Sequence, residues 1–250
     1  MRRVALVTGG GRGIGRAIAA ALAREGLAVA VAARTRAQVD DTARVLRDAG
    51  AEAMALALDV ADADAGAMAV RAIDATLGPV DVLVNNAGIA ESAPLARTDP
   101  ALWERHFSTN VTGPYLLTRA ALPGMLERGW GRVINVASVA GLAGAAYVTA
   151  YTASKHALVG FTRALAAEVA GKGVTVNALC PGFAATDLVW TSARNIVAKT
   201  GKTFDEAVAA LARFNPSGRL VEPAEVAAAA VALLHDERNG EAIVIDGGHP

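Results

Sequence analysis

The sequence predicts a single α/β domain, a doubly wound parallel sheet of seven strands. A helical insertion at about 187–215 precedes the last helix and strand. Three observations predict it. Short apolar, β-branched runs alternate about six times with longer alanine- and leucine-rich runs of helical period, and a seventh strand closes the series. The strands are continuously apolar rather than alternating, as in a sheet covered on both faces. No linker rich in Pro, Ser or Gly interrupts the 250 residues, a length that suits one large α/β domain.

The elements follow in order. "RRVALVTG" is the first strand, and "GIGRAIAAALAREG" a helix that stops at Gly26. "LAVAVAAR" is the second strand, followed by the helix "RAQVDDTARVLRDAG" ending at Gly50. "EAMALALDV" is a third strand, weaker because Ala and Met favour helix. "ADAGAMAVRAIDATLG" is helical and "VDVLVNNAG" a strand; two helical stretches then run from about Asp99 to Arg128. "GRVINVAS" is a strand, "YTASKHALVGFTRALAAEVAG" a helix and "VTVNALCPG" a strand. After the insertion come the helix "PAEVAAAAVALLH" and the last strand "EAIVID".

Composition narrows the functions. Lys+Arg and Asp+Glu both total 24, which argues against a general nucleic-acid binder. The single cysteine, Cys180, forbids an internal disulfide and a cysteine-rich metal site, and reads as a small buried hydrophobe. The histidines 106, 156, 235 and 249 lack metal-ligand spacing, so no metal is expected. The apolar run in "MRRVALVTGG" is too short for a signal peptide. No window of about 20 apolar residues suggests a membrane span. The expectation is a soluble, cytoplasmic protein.

In such a sheet, ligands bind beyond the carboxyl ends of the strands. "TGGGRGIG" (8–15) joins the first strand to the first helix, where glycines allow a tight turn and a helix N-terminus favours a phosphate. Its spacing, Gly9-x-x-x-Gly13-x-Gly15, differs from the common G-x-G-x-x-G. Many NAD-binding sheets end the second strand on an acid that grips the ribose 2′-hydroxyl. This chain has Ala33 and then Arg34, whose guanidinium suits a phosphate. Arg12 is a candidate to flank the same phosphate, although a basic residue there also suits the pyrophosphate. These residues predict NADP(H) over NAD(H), with a solvent-facing Arg34 as the alternative. Tyr151 and Lys155 are four residues apart, so a helix stacks them on one face. Ser138, at the end of the fifth strand, and Asn110, in "STNVTG", are positioned to join them. "TGKT" (200–203) lacks the upstream strand and glycine of a P-loop and reads as a turn.

Taken together, "TGGGRGIG", "NNAG", Asn110, Ser138, Tyr151-x-x-x-Lys155 and "PGFAAT" resemble, in this order, the short-chain dehydrogenases/reductases. The resemblance spans nearly the whole chain. "GMLERGWGRVINVAS", "YTASKHALVGFT" and "VNALCPGF" are further similar to bacterial 3-oxoacyl-thioester and polyketide ketoreductases. It implies a Rossmann-like fold and a role for each matching residue. Tyr151 would be the general acid/base. Lys155 would lower its pKa and hold the nicotinamide ribose. Ser138 would bind the substrate carbonyl oxygen, and Asn110 would support a water relay to Lys155. Gly9, Gly13, Ile14 and Gly15 would line the pyrophosphate, and Asp59 and Val60 would meet the adenine. Asn86, Ala87 and Gly88 would floor the cofactor site, while Pro181, Gly182, Ala184 and Thr186 would hold the carboxamide.

The chemistry agrees: a free phenol has a pKa of about 10, and a nearby ammonium favours its ionised form. The insertion corresponds to the family's substrate lid. Leu188, Val189, Trp190 and Phe214 are candidates for an apolar pocket there. Arg194, Lys199, Lys202 and Arg213 are candidates to meet the phosphates of a coenzyme A or carrier-protein thioester, although each alone reads as a solvated charge. The leading expectation is a carbonyl reductase for a 3-oxoacyl thioester or similar β-keto compound. An NAD-linked dehydrogenase of a secondary alcohol, steroid or sugar is the alternative, and a non-catalytic dinucleotide sensor the alternative of another class. By resemblance the chain would be a homotetramer.

Overall fold

In the computed structural model, which describes residues 2–248, seven strands form one sheet in which every neighbouring pair is parallel. The strands are β1 (Val4–Thr8), β2 (Ala28–Ala33), β3 (Ala53–Ala57), β4 (Val80–Asn85), β5 (Gly131–Val136), β6 (Val174–Pro181) and β7 (Ala242–Ile245). Their order is β3-β2-β1-β4-β5-β6-β7. The chain winds outward from β1 to β3, then crosses back to β4 and winds the other way. That reversal opens a crevice between the carboxyl ends of β1 and β4, where such sheets bind ligands.

Strand residues alternate between two apolar layers, which is why the strands read as continuously apolar. On one face Val7, Val31, Val84, Ile134 and Leu179 pack with Ile18 and Leu22 of α1 (Gly13–Arg24), Val39 of α2 (Arg36–Asp48) and Val226 of α9 (Pro223–Ala232). On the other, Leu6, Ala30, Leu83, Val133 and Val176 pack with Ile73 of α3 (Ala65–Thr76), Leu117 and Met125 of α5 (Gly113–Glu127) and Leu165 of α6 (Thr149–Glu168). The weak third strand forms because β2 supplies a partner along its whole length, Val29↔Ala53 through Ala33↔Ala57.

The two helical stretches after β4 are α4 (Pro100–Phe107) and α5, joined without a break by a π-helical turn, Ser108–Thr112. Asp99 caps α4 by accepting a hydrogen bond from Leu102 N at 2.7 Å. The insertion is a helical pair, α7 (Asp187–Thr200) and α8 (Phe204–Ala212). "TGKT" is the turn between them: Gly201 ends α7, and Thr203 opens α8 with a reciprocal capping box to Glu206. Among the described residues, no helix is long and apolar enough to cross a membrane.

A buried ladder of amides and hydroxyls crosses the middle of the second layer. Asn85 on β4 donates to Thr118 on α5 at 3.2 Å and to Asn135 on β5 at 2.9 Å, and Asn135 donates to Thr162 on α6 at 2.9 Å. It fixes α5 and α6 against the strand ends.

Candidate active site

The turn after β1 is held by side chains from the end of β4. The Thr8 hydroxyl accepts from the backbone N–H groups of Asn86 and Ala87, each at 3.0 Å. The Asn86 amide donates to Thr8 O at 2.8 Å and to Gly9 O at 3.3 Å. Asn86 is therefore a brace across the crevice. Gly9 and Gly13 take φ of +63° and +52°, which side chains disfavour. A Cβ on Gly15 would lie 2.3 Å from Gly9 O. The loop thus brings backbone to the crevice, and α1 starts beside it with no acid in its first turn. Ile14, in the first turn of α1, is half-buried against the core on that face of the sheet.

Opposite, residues 181–186 leave β6 toward the same crevice. Asn215, 4% exposed, clamps them: it accepts from Phe183 N–H at 2.9 Å and donates to the carbonyls of Phe183 and Arg219. Gly182 is required here because a Cβ would lie 2.3 Å from Asn215 Oδ1. Ala184 bridges to Val221. A Cβ on Gly13 would come within 3.3 Å of Thr186 Cγ2, so the two turns face each other closely. Pro181 O lies 3.5 Å from the Ser138 hydroxyl.

Tyr151 and Lys155 share a face of α6. Lys155 is 4% exposed, and its ammonium donates to Val136 O, at the end of β5, at 2.8 Å. It lies 5.8 Å from the centre of the Tyr151 ring. Burial lowers the Lys155 pKa to about 8. Burial also raises the Tyr151 phenol above its ordinary value, and a hydrogen bond with the Ser138 side chain opposes the rise. In the chain without its cofactor, desolvation is thus the largest influence on the phenol, and the Ser138 hydrogen bond opposes it. A Cβ on Gly88 would meet Asn110 Oδ1 at 3.2 Å and Lys155 Nζ at 3.5 Å, so this glycine keeps open the space beside both.

Asn110 sits in the π-helical turn, fully buried. Both amide hydrogens are committed, to Ile89 O and to Ser154 Oγ, each at 3.0 Å, and Oδ1 accepts from Ile89 N–H at 2.9 Å. The side chain fixes the segment after β4 to α6.

Other expected residues stand apart. Asp59 is exposed and accepts from Ala61 N–H at 3.0 Å, while Val60 is buried against Gly113 at the start of α5. Arg34 is exposed at the end of β2. Arg12 is occupied: its guanidinium is 2.8 Å from Asp187, the first residue of α7. In the insertion, Val189 is buried in the helical pair's own core with Ala193 and Leu211, so it faces no pocket. Trp190 leans on Phe204, Phe214 stacks on Phe183 while 73% exposed, and Leu188 is 44% exposed. Arg194, Lys199, Lys202 and Arg213 are exposed. Cys180 is buried, its thiol pushed up to about 11, as suits an inert core position. His156 is exposed, and His249 lies outside the described residues.

His106, Ser154 and Asn215 were not singled out by the sequence reading. His106 and Asn215 brace loops at the site, while Ser154 ties Asn110 to α6; only Ser154, beside Lys155, carried a positional hint.

A family model for short chain dehydrogenase matches residues 3–196. The chain belongs to this family. It is 39% identical to the 3-oxoacyl-[acyl-carrier-protein] reductase of Vibrio harveyi, over 98% of this chain and 96% of that protein. It is also 39% identical to the acetoacetyl-CoA reductase of Shinella zoogloeoides, over 99% of this chain and 98% of that one. A variant of actinorhodin polyketide ketoreductase crystallised with NADPH superposes with a TM-score of 0.94 at 39% identity, covering 99% of this chain and 97% of that one.

The crowding at Gly15 yields a direct test. Gly15→Ala forces the Gly9 carbonyl and the Asn86 amide to move, an overpacking cost of about 1–3 kcal/mol. Chemical denaturation should show that loss, and fluorescence titration should show weakened dinucleotide binding.

Proposed function

We propose that this chain is an NADPH-dependent carbonyl reductase acting on a 3-oxoacyl thioester or similar β-keto substrate, within one catalytic domain spanning residues 1–250. One observation carries the reading: the Tyr151 phenol, hydrogen-bonded with the Ser138 side chain, has its ring centre 5.8 Å from a buried ammonium on the same face of α6. The family membership and the named relatives support it.

The residues present fit a dinucleotide. The glycine turn, its facing turn at Thr186 and the open space at Gly88 form a cradle that added Cβ atoms would fill. Bound there, the cofactor supplies hydride to the substrate carbonyl carbon. Gly9, Gly13, Ile14 and Gly15 would hold its pyrophosphate with Arg12 nearby, and Ala87 and Gly88 would floor the site. Asp59 and Val60 would border the adenine; Pro181, Gly182, Ala184 and Thr186 would line the nicotinamide end.

Ser138 Oγ donates a hydrogen bond to the substrate oxygen, and Tyr151 delivers a proton to that oxygen as the carbonyl is reduced. A neutral phenol carries the proton this acid step requires. Lys155 restores the proton balance and holds the ribose. Asn110 holds this arrangement together, with both amide hydrogens committed to protein partners, and would support a water relay to Lys155.

Arg34 selects the phosphorylated cofactor. It is exposed at the end of β2, whereas Arg12 must first leave Asp187. The exposed Leu188 and Phe214 would line the substrate side of the lid, and the exposed cations Arg194, Lys199, Lys202 and Arg213 suit a phosphate-bearing thioester carrier. A homotetramer in the cytoplasm completes the reading. Tyr115, 42% exposed, and Phe161 form an aromatic pair between α5 and α6, and β7 leaves Val244 46% exposed at the sheet edge.

A panel of β-ketoacyl thioesters, cyclic ketones and diketones, followed by nicotinamide absorbance with each cofactor, tests the activity. Thioester reduction with NADPH is expected, and Tyr151→Phe should lose about 10²–10⁴-fold in kcat. Oxidation of secondary alcohols with NAD alone would contradict the reading, as would full turnover by Tyr151→Phe. Arg34→Ala should weaken NADPH binding about tenfold, about 1.4 kcal/mol, and leave NADH unchanged. Sedimentation should show a tetramer; a monomer at micromolar concentration would refute that assembly.

A further inference from the structure

His106 is fully buried on α4, one turn before Asn110. Its two ring nitrogens meet partners of opposite kind. Nδ1 is 2.9 Å from the carbonyl oxygen of Leu102, which can only accept, so Nδ1 carries the hydrogen. Nε2 is 3.1 Å from the backbone nitrogen of Glu91, which can only donate, so Nε2 is the acceptor. The partners thereby fix a neutral ring in one tautomer. The same ring stands edge-on to Tyr151, with centroids 6.4 Å apart and planes at 69°.

His106 and Asn110 lie four residues apart and face the same two elements. Between them they hold the segment after β4 at three backbone atoms: Ile89 N–H, Ile89 O and Glu91 N–H. They also meet α6 at two residues, the Tyr151 ring and the Ser154 hydroxyl, and Ser154 in turn donates to Tyr151 O at 2.7 Å. Asn110 is tied through Ser154 to the backbone of Tyr151, and His106 meets the edge of its ring. The charged neighbours, Arg105 and Glu91, pair with each other at the surface.

We infer that His106 is a positioning residue for Tyr151: as a fixed Nδ1–H tautomer it clamps Glu91 to α4 and sets the edge of the phenol ring. This rests on the assignment of Tyr151 as the proton donor.

Two variants separate the clamp from bulk packing. His106→Phe keeps an aromatic edge and removes both hydrogen bonds, while His106→Gln returns an acceptor near the Nε2 position. The expected result is a kcat lower by about tenfold or more in His106→Phe, with NADPH affinity within about twofold of wild type, because small misplacements of a reacting group carry such penalties. His106→Gln should recover most of that loss. Wild-type kcat in His106→Phe would overturn the inference. So would a loss of kcat and cofactor affinity in step with a lowered melting temperature and no recovery by Gln.

Imidazole ¹⁵N spectra of the unaltered protein give a readout independent of turnover and of the variants' folding. Nε2 should show the shift of an unprotonated nitrogen, and a protonated Nε2 would also refute the clamp. If the unaltered protein reduces no ketone, the assignment of Tyr151 fails. The positioning claim is then decided by these spectra and by the Tyr151 phenol titration midpoint, read as the absorbance difference from Tyr151→Phe. That midpoint should move in His106→Phe and stay in place if His106 is only core.

Discussion

A buried ammonium held by one carbonyl at the end of a strand sets the terms for the rest of the site. Lys155 has left water to donate to Val136 O, and burying a cation carries a large desolvation cost unless partners offset it. The cost shows in its pKa, down to about 8, so the charge is poised rather than locked. The strand end must therefore stay where it is. The amide ladder through Asn85, Asn135 and Thr162 does this by tying β4 and β5 to α6, the helix that carries Lys155. Gly88 leaves room beside the same group, since a Cβ there would crowd Asn110 Oδ1 at 3.2 Å and come into contact with the ammonium at 3.5 Å.

Several polar side chains at the site hold backbone: Asn86, Asn110, His106 and Asn215 each bond loop N–H or C=O groups. Loops at the carboxyl ends of parallel strands have no ladder partners, so buried backbone there needs side chains to satisfy it. The outcome is a crevice whose walls are fixed before any ligand arrives, which lowers the ordering cost of binding.

The fold was legible because strand and helix periods differ sharply and because glycine and strand-end signals punctuate them. The pairing of Tyr151 with Lys155 was legible from one helical turn. The braces were not. Asn86 reads in sequence as part of a glycine-rich cofactor motif, and only its contact with Thr8 O reveals a strut. His106 is one of four scattered histidines, and its partners are 15 residues upstream and on another helix. The π-helical turn at Asn110 leaves no compositional mark. The burial that raises the Tyr151 phenol also depends on the packed surroundings, whereas sequence supplies only the neighbouring charge.

The two arginines that sequence assigned to one phosphate prove unequal for a reason of geometry. Arg12 reaches across the crevice to Asp187, at the first turn of the insertion, and an exposed pair of this kind is worth at most about 1 kcal/mol. An incoming phosphate, with more charge and more acceptor oxygens than a carboxylate, can displace Asp187 from it. Such an exchange would untie the start of α7 from the glycine turn. Arg34 has no such tether among the described residues, so its contact with a phosphate would report on the cofactor alone. Contact at Arg12 would couple the cofactor to the start of α7.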